Sequence, residues 1–142
     1  MVTGALLSGI ETVGECMEDA SVSAFLNKAV NEEILKTIGD NEESRDFANA
    51  VLERFANPYI KHSWRAISLN SVSKYSVRVL PTLLDYVEKE NTIPKPLAFS
   101  LACLIEYYKT QTPQDNENVV AFIKNNDLLA ILSNQQLWGH DL

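Results

Sequence analysis

The chain has 142 residues, 46% of them hydrophobic and 22% charged, with a formal net charge of −7. That length suits one domain, and the ordinary apolar content without low-complexity tracts excludes disordered, collagen-like and linker classes. No apolar run approaches the roughly 20 residues of a membrane span, and the dispersed negative balance argues against nucleic acid and anionic membrane as partners.

The two cysteines, Cys16 and Cys103, are too far apart in sequence to form a disulfide framework or a metal motif. The first residues lack the basic lead of a signal peptide, so a reduced, cytoplasmic protein is expected.

Taken in chain order, the pattern is helical almost throughout. Residues 1–14 form a semi-apolar stretch in which Gly4, Gly9 and Gly14 recur every five positions, a spacing that favours close helix contact over a phosphate cradle. Val22, Phe25, Leu26, Ala29, Val30, Ile34 and Ile38 then follow at helical spacing, with Asp19 or Ser21 as the starting cap and Gly39 as the stop. Asp40-Asn41 opens a second amphipathic helix carrying Phe47, Val51 and Phe55, closed by Asn57-Pro58. A third segment, residues 59–69, aligns Ile60, Trp64 and Ile67. A fourth carries Val77, Leu80, Leu84 and Val87 and either starts or kinks at Pro81. Residues 96–108 are apolar nearly all round, which predicts a buried central helix with Leu97, Leu101, Leu104 and Ile105 in the core. Residues 119–122 and 128–132 read as two short closing helices. No segment sustains the alternation of a strand, so the fold class is all-α. The ends look cut: Met1 enters a semi-apolar stretch without capping chemistry, and the chain stops just after an exposed-looking Trp138. A helix over residues 1–14 is therefore expected to be the least anchored, or to pack in a dimer or crystal contact.

The most unusual feature is electrostatic. Residues 55–84 hold no Asp or Glu, although the chain carries 19 acids, and the same window holds Lys61, His62, Arg65, Lys74 and Arg78. Lys61 with Arg65, and Lys74 with Arg78, are i,i+4 pairs whose like charges repel on a helix. Ser68, Asn70, Ser71 and Ser73 lie among them. Cations that take a carboxylate, beside amides and hydroxyls that take sugar hydroxyls, suit a polyhydroxylated anion. A solvated basic face paired with acids elsewhere is the competing reading. His62 and His140 have no partner at metal-ligand spacing, and no glycine-rich dinucleotide loop is present.

Residues 54–90, RFANPYIKHSWRAISLNSVSKYSVRVLPTLLDYVEKE, resemble the C-terminal domain of the long-chain mannitol dehydrogenase family. Members carry an RFxNPxIxH/D stretch followed by a polar segment ending in a serine and a lysine. Here that segment is LNSVSK, residues 69–74, followed by RVLP, residues 78–81, a form similar to the family's sugar-acid branch. Weaker matches, Leu7-Ser8-Gly9 with Glu11-Thr12-Val13 and Leu137-Trp138-Gly139 with Asp141-Leu142, extend the resemblance over nearly the whole chain.

The resemblance implies an all-α domain of the mannitol dehydrogenase C-terminal type, which is 6-phosphogluconate dehydrogenase C-terminal-like. It implies a parent enzyme whose NAD-binding Rossmann domain and catalytic Lys, Asn and His precede Met1. Residues 1–142 are then one internal fragment, inactive alone, without catalytic, cofactor-binding or metal-binding residues of its own. The implied reaction is the NAD-dependent interconversion of D-altronate and D-tagaturonate in hexuronate breakdown. Fructuronate reduction or polyol oxidation within the same family, and a non-catalytic helical interaction module, are the alternatives. No feature sets an oligomeric state.

Carried over by position, Lys74 matches the family's substrate lysine, and Asn70 stands where polyol enzymes have an Asp. His62 replaces another Asp. Ala66 occupies the place of a substrate arginine, so Arg65, pointing about 100° away on a helix, or Arg78 is expected to replace it.

Overall fold

The computed structural model describes residues 1–57, 59 and 63–140. The helices are α1 (Val2–Leu7), α2 (Val13–Glu18), α3 (Ala20–Lys28), α4 (Leu35–Ile38), α5 (Glu42–Phe55), α6 (Trp64–Ile67), α7 (Ser71–Arg78), α8 (Leu80–Glu90), α9 (Lys95–Thr110), α10 (Glu117–Asn125), α11 (Leu128–Leu132) and α12 (Gln135–Trp138). Among the described residues no strand forms, and the one extended pairing is an antiparallel bridge between Thr12 and Ser63. The all-α expectation holds.

Local chemistry sets most boundaries. Thr12 and Glu15 form a reciprocal capping box at the start of α2. The Asp19 carboxylate accepts from Ser21 N and Val22 N, each at 2.9 Å, and starts α3. Asn41 Oδ1 accepts from Ser44 N at 2.9 Å and starts α5. Gly39, at φ 113°, ends α4 in a conformation that a side chain disfavours. The fourth segment divides at Val79: α7 ends at Arg78, and α8 begins with Pro81 in its first turn, where the missing N–H costs nothing.

Helix α9 is central, packing against α1, α7, α10 and the turn that joins α3 to α4. Gly4 of α1 allows a close approach to α9, because a Cβ there would lie 3.3 Å from Cys103 Sγ. One apolar core joins α7, α8, α9, α10 and the C-terminal helices through Tyr75, Leu80, Leu104, Tyr108, Ile123 and Trp138. A second joins Ala5, Val13, Cys16 and Trp64, whose indole N–H donates to Cys16 Sγ at 3.0 Å.

Several expectations are corrected. Residues 1–14 do not form one helix: α1 ends at Leu7, Gly9 follows at φ 78°, and α2 begins only at Val13; α1 is anchored, with Thr3 and Ala5 buried. The long helix after Asp19 contains a π turn, Ala29–Ile34. Its wider i→i+5 turn rotates the buried face, so Glu33, Leu35 and Thr37 turn inward and Ile38 is left exposed. Phe47 on α5 is 72% exposed, and Val77 on α7 faces solvent.

On α9, Leu97, Leu104 and Ile105 are buried as predicted, but Leu101 is half-buried and Phe99 is exposed. Of the third segment, α6 alone is a described helix; Ile60 lies outside the described residues. Trp138, which the sequence presents as an exposed terminus, is 0% exposed, and its indole N–H donates to Ile131 O at 2.8 Å.

Candidate functional site

Helix α7 carries both Lys74 and Arg78, and its polar anchors fix where they point. At its start, Asn70 adopts a left-handed backbone (φ 52°). Its N–H donates to Gln114 O at 2.9 Å. Val72 N–H donates to the Tyr108 hydroxyl at 3.3 Å, which in turn donates to Asp115. Burial and the Asp115 carboxylate push the Tyr108 phenol well above its ordinary range. Ser71 Oγ donates to Ser68 O at 2.6 Å, and the Tyr75 hydroxyl donates to Leu97 O at 2.9 Å. Desolvation pushes the Tyr75 pKa up to about 12, so this phenol stays a donor across the physiological range. Ser76 Oγ donates to Trp138 O. Four neighbouring segments therefore hold this two-turn helix.

Between α1, α7 and α9 lies a cavity of about 230 Å³. Its polar wall comprises Thr3 of α1, Ser71, Lys74, Tyr75 and Arg78 of α7, and Ser100 of α9. Met1, Val2, Ile67, Val79 and Leu104 make the rest of the lining apolar, and the volume, below the roughly 300–1,000 Å³ of sites for drug-sized ligands, suits a small molecule. Lys74 is half-buried and donates from Nζ to Ile67 O at 2.8 Å, which uses one of its three donors. Among the described residues, neither Lys74 nor Arg78 pairs with a carboxylate; the ion pairs formed are Lys28–Glu32, Lys36–Glu90 and Arg45–Asp40. Arg78 is exposed and Lys74 half-buried, so the competing picture of a solvated basic face keeps its solvent exposure at Arg78; its pairing with acids is not formed among the described residues.

The remaining candidates separate. Arg65 lines a different and smaller cavity with Tyr107, Gln111 and Thr112. Asn70 lies outside the lining of the Lys74–Arg78 cavity and acts through its backbone as the first residue before α7. His62 and Lys61 fall outside the described residues. Sequence reasoning missed Thr3, Tyr75 and Ser100, which reach the cavity from three helices. Only tertiary packing joins them, and no local spacing signals it. Among the described residues, no three His, Cys, Asp or Glu side chains gather as a metal site, and no helix is long and apolar enough to cross a membrane.

A family model for the mannitol dehydrogenase C-terminal domain matches residues 1–142. The chain belongs to that family. It is 39% identical to an altronate oxidoreductase of Bacillus subtilis (strain 168), an alignment that covers 100% of this chain and 32% of that protein. An altronate oxidoreductase of Escherichia coli O139:H28 is 39% identical over 98% of this chain and 28% of its own length. One from Klebsiella pneumoniae (strain 342) is 46% identical over 77% of this chain and 23% of its own. The chain thus spans about a third or less of the length of these relatives.

Proposed function

We propose that this chain is the substrate-binding helical domain of an NAD-dependent oxidoreductase that interconverts D-altronate and D-tagaturonate. The observation that carries the reading is the pair Lys74 and Arg78, two cations without carboxylate partners among the described residues, which share one small cavity with four hydroxyl-bearing side chains. A sugar acid presents one carboxylate and a row of hydroxyls. Arg78 offers a planar fork of donors for the carboxylate. Lys74 has two donors left after its bond to Ile67 O. Ser71, Ser100, Thr3 and Tyr75 supply hydroxyl groups around them. The names of the related altronate oxidoreductases support the same substrate class.

In this reading Arg78 stands in for the arginine that Ala66 lacks, because Arg65 lines a separate cavity. The domain binds and orients the sugar acid, which holds the reacting carbon still for chemistry performed elsewhere in the protein. NAD, which the resemblance implies, belongs to the part of the protein outside this chain.

The test compares oxidation of D-altronate, D-mannonate and D-mannitol by the full-length protein and its Arg78→Ala variant. Preference for D-altronate, with a KM that rises at least tenfold in the variant, is expected. Equal turnover of D-mannitol, undiminished in the variant, would assign the protein to the polyol branch.

A further inference from the structure

The π turn places a carboxylate where the apolar stripe leads into the core. Glu33 is only 4% exposed, and its Oε2 accepts from Leu97 N at 2.8 Å. That N–H belongs to the first turn of α9, whose N-cap residue, Pro94, makes no side-chain capping bond. Glu33 therefore caps α9 from another helix, 64 positions away. Its own backbone carbonyl accepts from Thr37 Oγ1 at 2.7 Å, and Thr37 O accepts from Lys89 Nζ at 2.6 Å, which ties the turn to α8.

On its other side, Leu97 holds the cavity wall. Leu97 O accepts from the Tyr75 hydroxyl at 2.9 Å and from Ser100 Oγ at 2.7 Å. Ser100 Oγ also lies 3.3 Å from the Tyr75 hydroxyl. Tyr75 and Ser100 line the same cavity as Lys74 and Arg78, and Tyr75 is the residue after Lys74 on α7. Both backbone groups of Leu97 are thus spoken for, one by Glu33 and one by the wall. Burying a carboxylate is costly, and one N–H with a helix dipole offsets only part of that cost. An apolar side chain would fill the space without the cost, but it would leave the first turn of α9 uncapped.

We propose that Glu33 is a positioning residue of the sugar-acid site, fixing Leu97 so that Tyr75 holds α7 and its two cations at the cavity. The inference rests on the reading of that cavity given above. It makes Glu33 more than a helix cap: its loss reaches the substrate through Leu97 and Tyr75.

The experiment measures KM and kcat for D-altronate, KM for NAD and the melting temperature, on the full-length protein. The variants are Glu33→Ala, Glu33→Gln, Tyr75→Phe and the double variant Glu33→Ala/Tyr75→Phe, with Arg78→Ala as the control for the site. Glu33→Ala should raise KM for D-altronate roughly three- to thirtyfold, the range expected for residues in one contact chain, with KM for NAD unchanged. Glu33→Gln, whose amide oxygen still accepts the Leu97 N–H, should restore KM to within about twofold. Tyr75→Phe should raise KM similarly, and the double variant should be no worse than the larger single effect. A Glu33→Ala protein with lowered melting temperature and unchanged KM would overturn the inference, leaving Glu33 a cap alone. Multiplicative effects in the double variant would overturn the route through Leu97. Should Glu33→Ala not fold, Tyr75→Phe decides, since an unchanged KM there breaks the same route. If Arg78→Ala raises KM and the Glu33 and Tyr75 variants do not, only this inference fails. If Arg78→Ala also has no effect, the site reading falls with it.

Discussion

Replacing Lys74 by alanine separates binding from support, because the structure gives the ammonium both tasks. One donor is committed to Ile67 O at 2.8 Å. Losing a charged hydrogen bond to a half-buried carbonyl costs stability of about 1.5–3 kcal/mol, at the lower end here because the side chain stays partly in water. At roughly 2–4 °C per kcal/mol for a domain near this size, the melting temperature should drop by about 3–6 °C. Lys74 also lines the cavity shared with Arg78, and two of its donors remain after the bond to Ile67 O. If they hold the sugar acid, losing them removes a second charge-assisted contact of similar size, and kcat/KM for D-altronate should fall roughly 10- to 100-fold. KM for NAD should be unchanged. The assay is steady-state kinetics on the full-length protein at a temperature well below its melting point, alongside calorimetry of the same preparation. A melting temperature that falls while kcat/KM stays within twofold of wild type would refute the reasoning and leave Lys74 a strut under the α6–α7 turn.

Other consequences concern the core and its pH response. Leu104→Ala should cost about 2–5 kcal/mol, as for other fully buried leucines, whereas half-buried Leu101→Ala should cost clearly less; equal losses in denaturant melts would contradict the packing described for α9. Trp138→Phe removes both buried volume and the N–H that donates to Ile131 O, so it should cost about 2–4 kcal/mol; a change below about 0.5 kcal/mol would return Trp138 to the surface. Burial holds the Glu33 carboxyl above its ordinary value of 4.5. The folded state therefore keeps that proton better than the unfolded chain. The stability due to this group is fully present below the unfolded value and is lost as pH rises through the folded one. The melting temperature of wild type minus that of Glu33→Gln should accordingly decline on going from about pH 4 upward, and a difference independent of pH would remove the burial effect.

Much of the helical scaffold was legible because its determinants are local. Asp19, Asn41 and Gly39 mark helix ends through bonds and dihedrals within a few residues of themselves, and Pro81 marks a first turn in the same way. The acid-free window and the Lys74–Arg78 spacing likewise survive folding, since both cations fall on one two-turn helix. Periodicity fails where the backbone departs from 3.6 residues per turn. After the π turn at Ala29–Ile34 the apolar stripe no longer tracks the core, so Ile38 is solvated and Glu33 is buried.

Tertiary structure alone decided which cations share a cavity. Arg65 and Arg78 look equally eligible in sequence, but α6 and α7 aim them into different pockets. It also brought Thr3 and Ser100, nearly 100 positions apart, to the wall beside Lys74. Trp138 reads as a fraying end because its burial depends on α7 and α11 closing over it, with Ser76 bonded to its carbonyl and Ile131 to its indole. Capping and spacing are properties of neighbours along the chain and can be read there. Burial and site membership are properties of neighbours in space, and they arise only when the apolar faces of separate helices close on one another.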